Sequence, residues 1–146
     1  MVDALRRAHH VVTTDGIVVD LHPTAAPASM EVGAQTIGHV DAGDAQLRHA
    51  AAETALKTVV DAGLFDVDAV VGFDFYTYGD TVEELRDYIV ENWRSARIDP
   101  AILDAARRAL GAAPAGVRPR VLERVCLTRL RPAGGPSART RPQVVP

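Results

Sequence analysis

The chain has a single cysteine, Cys126, among its 146 residues. That excludes an internal disulfide and a zinc site of the cysteine-rich kinds, and the residue reads as a small buried hydrophobe rather than a nucleophile. Aromatic side chains make up 5% of the sequence. None is interleaved with the arginines near the carboxyl terminus to stack on bases, so nucleic acid is not an expected partner. No apolar run approaches the ~20 residues that a membrane helix needs, and Met1 to His10 lacks the basic-then-apolar order of a secretory signal. No membrane contact and a cytoplasmic location are therefore the default expectations. The eleven glycines contain no G-x-G, so the glycine-rich turn that lets backbone N–H groups approach a nucleotide-like cofactor is missing.

What is present suffices for a core. With 47% hydrophobic and 24% charged residues, the chain reads as one globular domain over residues 1–131, followed by a Pro/Gly/Arg-rich tail, 132–146, expected to be disordered. The formal charge of −3 conceals an asymmetry: residues 1–111 hold 9 Lys/Arg against 18 Asp/Glu, whereas residues 112–146 hold 7 Arg against one Glu. Such a basic end reads as a solvated face that pairs with an acidic body.

Periodicity divides the chain into alternating elements. Leu5, Ala8 and Val12 share one side of a short helix over 3–12, and the almost wholly apolar stretch Ile17 to Leu21 follows as a strand. Residues 24–41, with Met30, Val32, Ile37 and Val40, form an extended or hairpin excursion. Leu47, Ala51, Ala55 and Val59 mark a helix that stops at Gly63. Residues 64–78 alternate Phe65, Val67, Ala69, Val71, Phe73 and Phe75 against Asp66, Asp68, Asp74 and Tyr76, a strand with one face more buried than the other. Asp80 and Glu83 have capping-box spacing ahead of the stripe Val82, Leu85, Ile89 and Trp93. Asp99 and Pro100 open a further helix carrying Ile102, Leu103, Ala106 and Leu110 and ending at Gly111, and residues 117–130 read as a last strand, kinked or at an edge near Pro119. Strands alternating with helices point to an α/β fold.

The segment "ALRRAHHVVTTDGIVVDLHP" resembles the late part of class I S-adenosylmethionine-dependent methyltransferases, where a helix of the type L-x-x-A-H-R-V-L leads through a Pro-Gly-Gly turn into the fifth strand. Leu5, Ala8, His9, Val11, Gly16 and the apolar strand match; His10, Thr14 and Asp15 depart from the pattern. "DAGLF", "FDFYTY" and "TVEELRDYIVENW" are similar to the segments that follow in that family, so the resemblance spans roughly residues 3–131. It implies a partial Rossmann-like sheet of three strands with flanking helices: 16–21, 65–78 and an antiparallel 117–130 between them. It also implies that the first strand lacks a companion. The chain is then the carboxyl-terminal, substrate-side half of a methyltransferase, truncated or split, and not active alone. S-adenosylmethionine binds only if an N-terminal half completes the protein, and no cofactor binds to this chain by itself. The implied partners are that N-terminal half, or a second copy, along strand 17–21, together with a small-molecule substrate.

Ligands of open α/β sheets bind beyond the carboxyl ends of the parallel strands. Under the resemblance this rim carries Asp20, His22, Tyr76, Tyr78 and Arg118 as substrate-binding residues, with excursion 24–41 as a lid or wall whose Met30 and Ile37 face substrate or simply pack. A general-base role for His22 fits its ordinary titration range, against the plain reading of a solvent-facing turn histidine before Pro23. His9 and His10 diverge by about 100° on a helix, His39 and His49 are distant, and no metal site is expected. Trp93 is core, and the strand carboxylates are solvated. Two other readings compete: a non-catalytic α/β binding module that uses its basic last strand and tail, and a small hydrolase or isomerase using His22, for which no nucleophile elbow is present.

Overall fold

The computed structural model of the protein describes residues 1–134. Its elements are α1 (Val2–Val11), β1 (Val18–Pro23), β2 (Ser29–Val32), β3 (Gln35–His39), α2 (Asp44–Asp61), β4 (Phe65–Tyr78), α3 (Val82–Asn92), α4 (Pro100–Ala112) and β5 (Pro119–Pro132). The expected tail at 132–146 lies outside the described residues from position 135 onward, and Pro132 itself closes β5.

Local chemistry sets the helix ends. At the end of α2, Gly63 takes φ 69°. Its N–H donates to the Val60 carbonyl at 2.9 Å and the Leu64 N–H to the Val59 carbonyl at 3.1 Å, the paired bonds that terminate a helix through a left-handed residue. Asp99 caps α4, its carboxylate accepting from the Ala101 N–H at 2.8 Å with Pro100 in the first turn. That helix runs past Gly111 to Ala112. The cap of α3 is one residue later than the Asp80/Glu83 spacing indicated: Thr81 is the N-cap, accepting from the Glu84 N–H at 3.1 Å, while Glu84 accepts from the Asp80 N–H at 2.6 Å. Threonine holds the extended conformation that a cap requires and places its hydroxyl over the third N–H.

The five strands form an open antiparallel sheet ordered β1-β5-β2-β3, with β4 also pairing β5. The expected three-stranded sheet is thus corrected to five strands in a different order. The 24–41 excursion supplies the two additional strands: Gly33, at φ 61°, turns β2 into β3, and β2 then pairs β5 with Met30 opposite Val121. An isolated hairpin is marginal in water, and docking along β5 satisfies its backbone groups and covers its apolar side chains.

The chain divides into two compact units, 1–24 with 49–73 and 125 onward, and 25–48 with 74–124; β4 and β5 each contribute a segment to both. In the first unit, Leu5 of α1, Val59 of α2, Phe65 and Leu130 form the buried cluster, joined by Val2, Val12, Val18, Leu56, Val60 and Leu64. The buried stripe of α2 is Ala52, Ala55 and Val59, with Leu47 exposed, so its inward face is rotated from the one the spacing of Leu47 and Ala51 indicated. Along β4 Phe65 is the one buried apolar residue; Val67, Val70, Val71, Phe73 and Phe75 are all more than a third exposed.

In the second unit, Met30 and Val32 of the hairpin, Val82, Leu85 and Ile89 of α3, Leu103 and Ala106 of α4, and Val121 make the core, with Trp93, Ile37 and Ile102 packed against it. Gly38 of β3 is required where α4 approaches: a Cβ there would lie 2.7 Å from Ile102 Cδ1. Met30 and Ile37 therefore pack into the core and do not wall a substrate site.

Leu85→Ala, emptying a fully buried position, is expected to cost ~2–5 kcal/mol in urea unfolding, and Asp99→Ala about 1 kcal/mol. Equal costs for the two substitutions would contradict this assignment of core and cap.

Candidate functional site

β1 reads Val-Val-Asp-Leu-His-Pro. Alternation puts Val18, Asp20 and His22 on one face and Val19 and Leu21 on the other. The register with β5 sets Val18 opposite Leu130, Asp20 opposite Thr128 and His22 opposite Cys126, so these six side chains share a face. His22 Nδ1 lies 2.6 Å from Asp20 Oδ2, with the two side chains 9% and 11% exposed. The solvent-facing reading of His22 is therefore corrected. The two-residue spacing of Asp20 and His22 in a strand is the signal that brings them together, and the sheet face is what buries them.

With the carboxylate accepting, Nδ1 carries the hydrogen between them, and in that tautomer Nε2 presents a lone pair. That Nε2 is the one buried side-chain nitrogen or oxygen without a hydrogen-bond partner among the described residues. Leaving such an atom unpaired costs ~1–3 kcal/mol. Beside it lies a cavity of about 350 Å³ bounded by Leu56, Val60, Val67 and Cys126, with Glu53 and Lys57 of α2 also on its lining. Cys126 Sγ is 3.8 Å from Thr128 Oγ1, so the thiol sits within the same polar strip.

The other three residues expected at the rim fall in the second unit and form a separate group. Arg118 lies 2.7 Å from Asp80, donates to the Gly79 carbonyl at 3.4 Å and has its guanidinium 5.7 Å from the Tyr78 ring centre. The Tyr76 and Tyr78 rings are 6.0 Å apart, and Arg120 stacks over Tyr76 at 4.4 Å. Arg120 also donates to the buried Glu31 at 2.9 Å, directly across the β2–β5 pair. Glu31 and Arg120 were not singled out by sequence reasoning. The signal was a carboxylate inside Met30-Glu31-Val32, a run that needs a cation once buried on both sides. Each arginine in this group already has an acidic partner, so the group serves as a stacked, ion-paired rib of the sheet and offers no free acid or base.

Two turns lead from a strand through one glycine into a helix, and protein fills both. A Cβ on Gly79 would lie 2.7 Å from the Leu85 nitrogen, and one on Gly43 2.9 Å from the Ser95 carbonyl oxygen. At the start of α3 the Glu84 N–H is taken by the Thr81 hydroxyl, and the Asp80 N–H ahead of the helix by the Glu84 carboxylate. The close approach a ligand would need beside either glycine is thus taken up by the chain's own atoms. Among the described residues no group of three or more His, Cys, Asp and Glu is placed to hold a metal ion, and no helix is long and apolar enough to cross a membrane.

On β5, burial raises the Glu123 carboxyl above its ordinary range. Comparison of the chain with family models, curated proteins and solved structures returned no match.

A group whose folded-state value is raised contributes stability below its unfolded value, about 4.3 for glutamate, and loses that contribution as pH rises through the folded value. Glu123→Gln is accordingly expected to raise the thermal midpoint at neutral pH, with the difference closing below about pH 4. An unchanged midpoint at neutral pH would argue against a desolvated carboxylate.

Proposed function

We propose that this chain is the substrate-side part of a methyltransferase-like protein, completed by a glycine-rich, cofactor-binding half that residues 1–134 do not supply, and inactive without it. The observation that carries the reading is β1. Among the described residues it pairs only with β5, leaving one edge of backbone N–H and C=O groups unpaired. On its outward face Ile17, Val19 and Leu21 are 50%, 52% and 58% exposed. An edge strand that is apolar, and free of lysine and of proline before Pro23, carries none of the usual protection against pairing. Such an edge fits a strand that ordinarily has a neighbour, with side chains that ordinarily have a cover.

The chemistry of the turns supports the division of labour. S-adenosylmethionine does not fit the residues present: there is no G-x-G, and the two glycine turns that precede helices are packed by Leu85 and Ser95. No step of methyl transfer is therefore assigned to this chain. Its contribution is a scaffold and, at the Asp20–His22 pair, a fixed acceptor that can orient a hydroxyl-bearing acceptor molecule. The binding-module alternative is less well supported, because Arg118 just before β5 and the arginines within it are engaged internally: Arg118 with Asp80, Arg120 with Glu31, Arg124 with Asp74, and Arg129 and Arg131 with Asp68.

Two measurements test the proposal. In sedimentation velocity the isolated chain is expected to self-associate with rising concentration, and Val19→Lys, which places a charge on the exposed face, to shift it toward monomer. In calorimetry S-adenosylmethionine is expected to give no binding heat. A stable, concentration-independent monomer, or a tight cofactor complex formed by this chain alone, would overturn the reading.

A further inference from the structure

A cavity lies beside His22, whose Nε2 has no protein partner among the described residues. Its walls, Leu56 and Val60 of α2, Val67 of β4 and Cys126 of β5, are apolar or weakly polar, and its volume of about 350 Å³ lies in the range of small-molecule pockets, ~300–1,000 Å³. His22 and Thr24 also line it, and His22 Nε2 is buried without a hydrogen-bond partner among the described residues. Asp20, 2.6 Å from Nδ1, fixes the ring so that Nε2 accepts. We propose that this cavity binds a small neutral molecule with an apolar body and a single hydroxyl, of the alcohol or phenol class, whose O–H donates to His22 Nε2.

The chemistry narrows the ligand. An atom that presents a lone pair selects a donor, and a molecule lacking one would leave Nε2 as unsatisfied as before. A cationic amine is disfavoured because its charge would have to be desolvated against leucine and valine side chains. A carboxylate is disfavoured because its oxygens and the Nε2 lone pair would both be acceptors. Glu53 and Lys57, one turn apart on α2, line the cavity from exposed positions, and Lys57 is paired with Asp61 at 2.5 Å. The charged groups thus lie at the mouth and leave the interior to the apolar body. This inference concerns binding by the chain alone, so it stands or falls separately from the association and cofactor measurements above.

The test uses 4-methylphenol as the probe and toluene as its counterpart without the hydroxyl, followed by NMR of the full chain. Expected is saturable binding of 4-methylphenol that moves the methyl resonances of Leu56, Val60 and Val67 and the His22 Nε2 resonance, with toluene bound about tenfold more weakly, the worth of one hydrogen bond to a buried acceptor. His22→Phe is expected to remove that preference. Val67→Trp, at a position already a third exposed, fills the cavity without disturbing the Asp20–His22 pair and is expected to abolish binding of both probes, which keeps the test decisive should the His22 variant fail to fold. Equal affinity for the two probes, shifts confined to residues elsewhere, or 4-methylphenol binding that survives Val67→Trp would overturn the proposal.

Discussion

The backbone of β5 is the constraint on which the sheet depends. Every non-proline residue of a strand carries a donor and an acceptor that must be paired when buried, and β5 meets that requirement with three partners: β1 along 125–130, β2 along 119–122, and β4. The Ala133 N–H bond to the Leu64 carbonyl at 3.0 Å and the Arg129–Asp68 ion pair show β4 running antiparallel to it. Pro119, which cannot donate, is tolerated because it stands first in the strand, where its carbonyl accepts from the Gly79 N–H at 3.2 Å.

The same strand organises the charges. Its arginines, with Arg118 just before it, are distributed along an acidic body, each opposite a carboxylate from a neighbouring strand or turn. Most of these pairs are exposed and worth little individually. Two differ because a partner is buried: Asp68, shared by Arg129 and Arg131, and Glu31, held by Arg120. Removing an arginine there would strand a desolvated carboxylate, so these pairs fix which residues may face each other across the sheet. Glu123 has no such partner among the described residues, and burial raises its carboxyl.

The Asp20–His22 pair shows a different economy. It sits on the covered face of β1, above Cys126 and Thr128 and beneath α2, in a layer otherwise given to Val18, Leu56, Val60 and Leu130. A layer meant only for packing has no use for an imidazole with an unpaired nitrogen. The opposite face of β1 is apolar and uncovered. One strand thus presents two unlike surfaces: a covered one that holds an unpaired nitrogen, and an exposed apolar one.

Much of the secondary structure was legible along the sequence because its causes are local. The Asp99-Pro100 start of α4, the left-handed Gly63 after α2 and the stripe Val82, Leu85, Ile89 and Trp93 each depend on residues within a few positions of one another. At the α3 cap, where the spacing pointed to Asp80, the cap is Thr81, one residue later, because it is Thr81 whose extended backbone leads into the helix. The two-residue spacing of Asp20 and His22 already placed both on one strand face. That this face is buried, that Cys126 and Thr128 lie across from them, and that Glu31 meets Arg120 were decided by strand register, which pairs residues scores of positions apart and leaves no mark in local periodicity. The hairpin 29–39 could be read as extended, but only the tertiary structure made it part of the sheet, since an edge strand's partner is set by whichever unsatisfied backbone it meets.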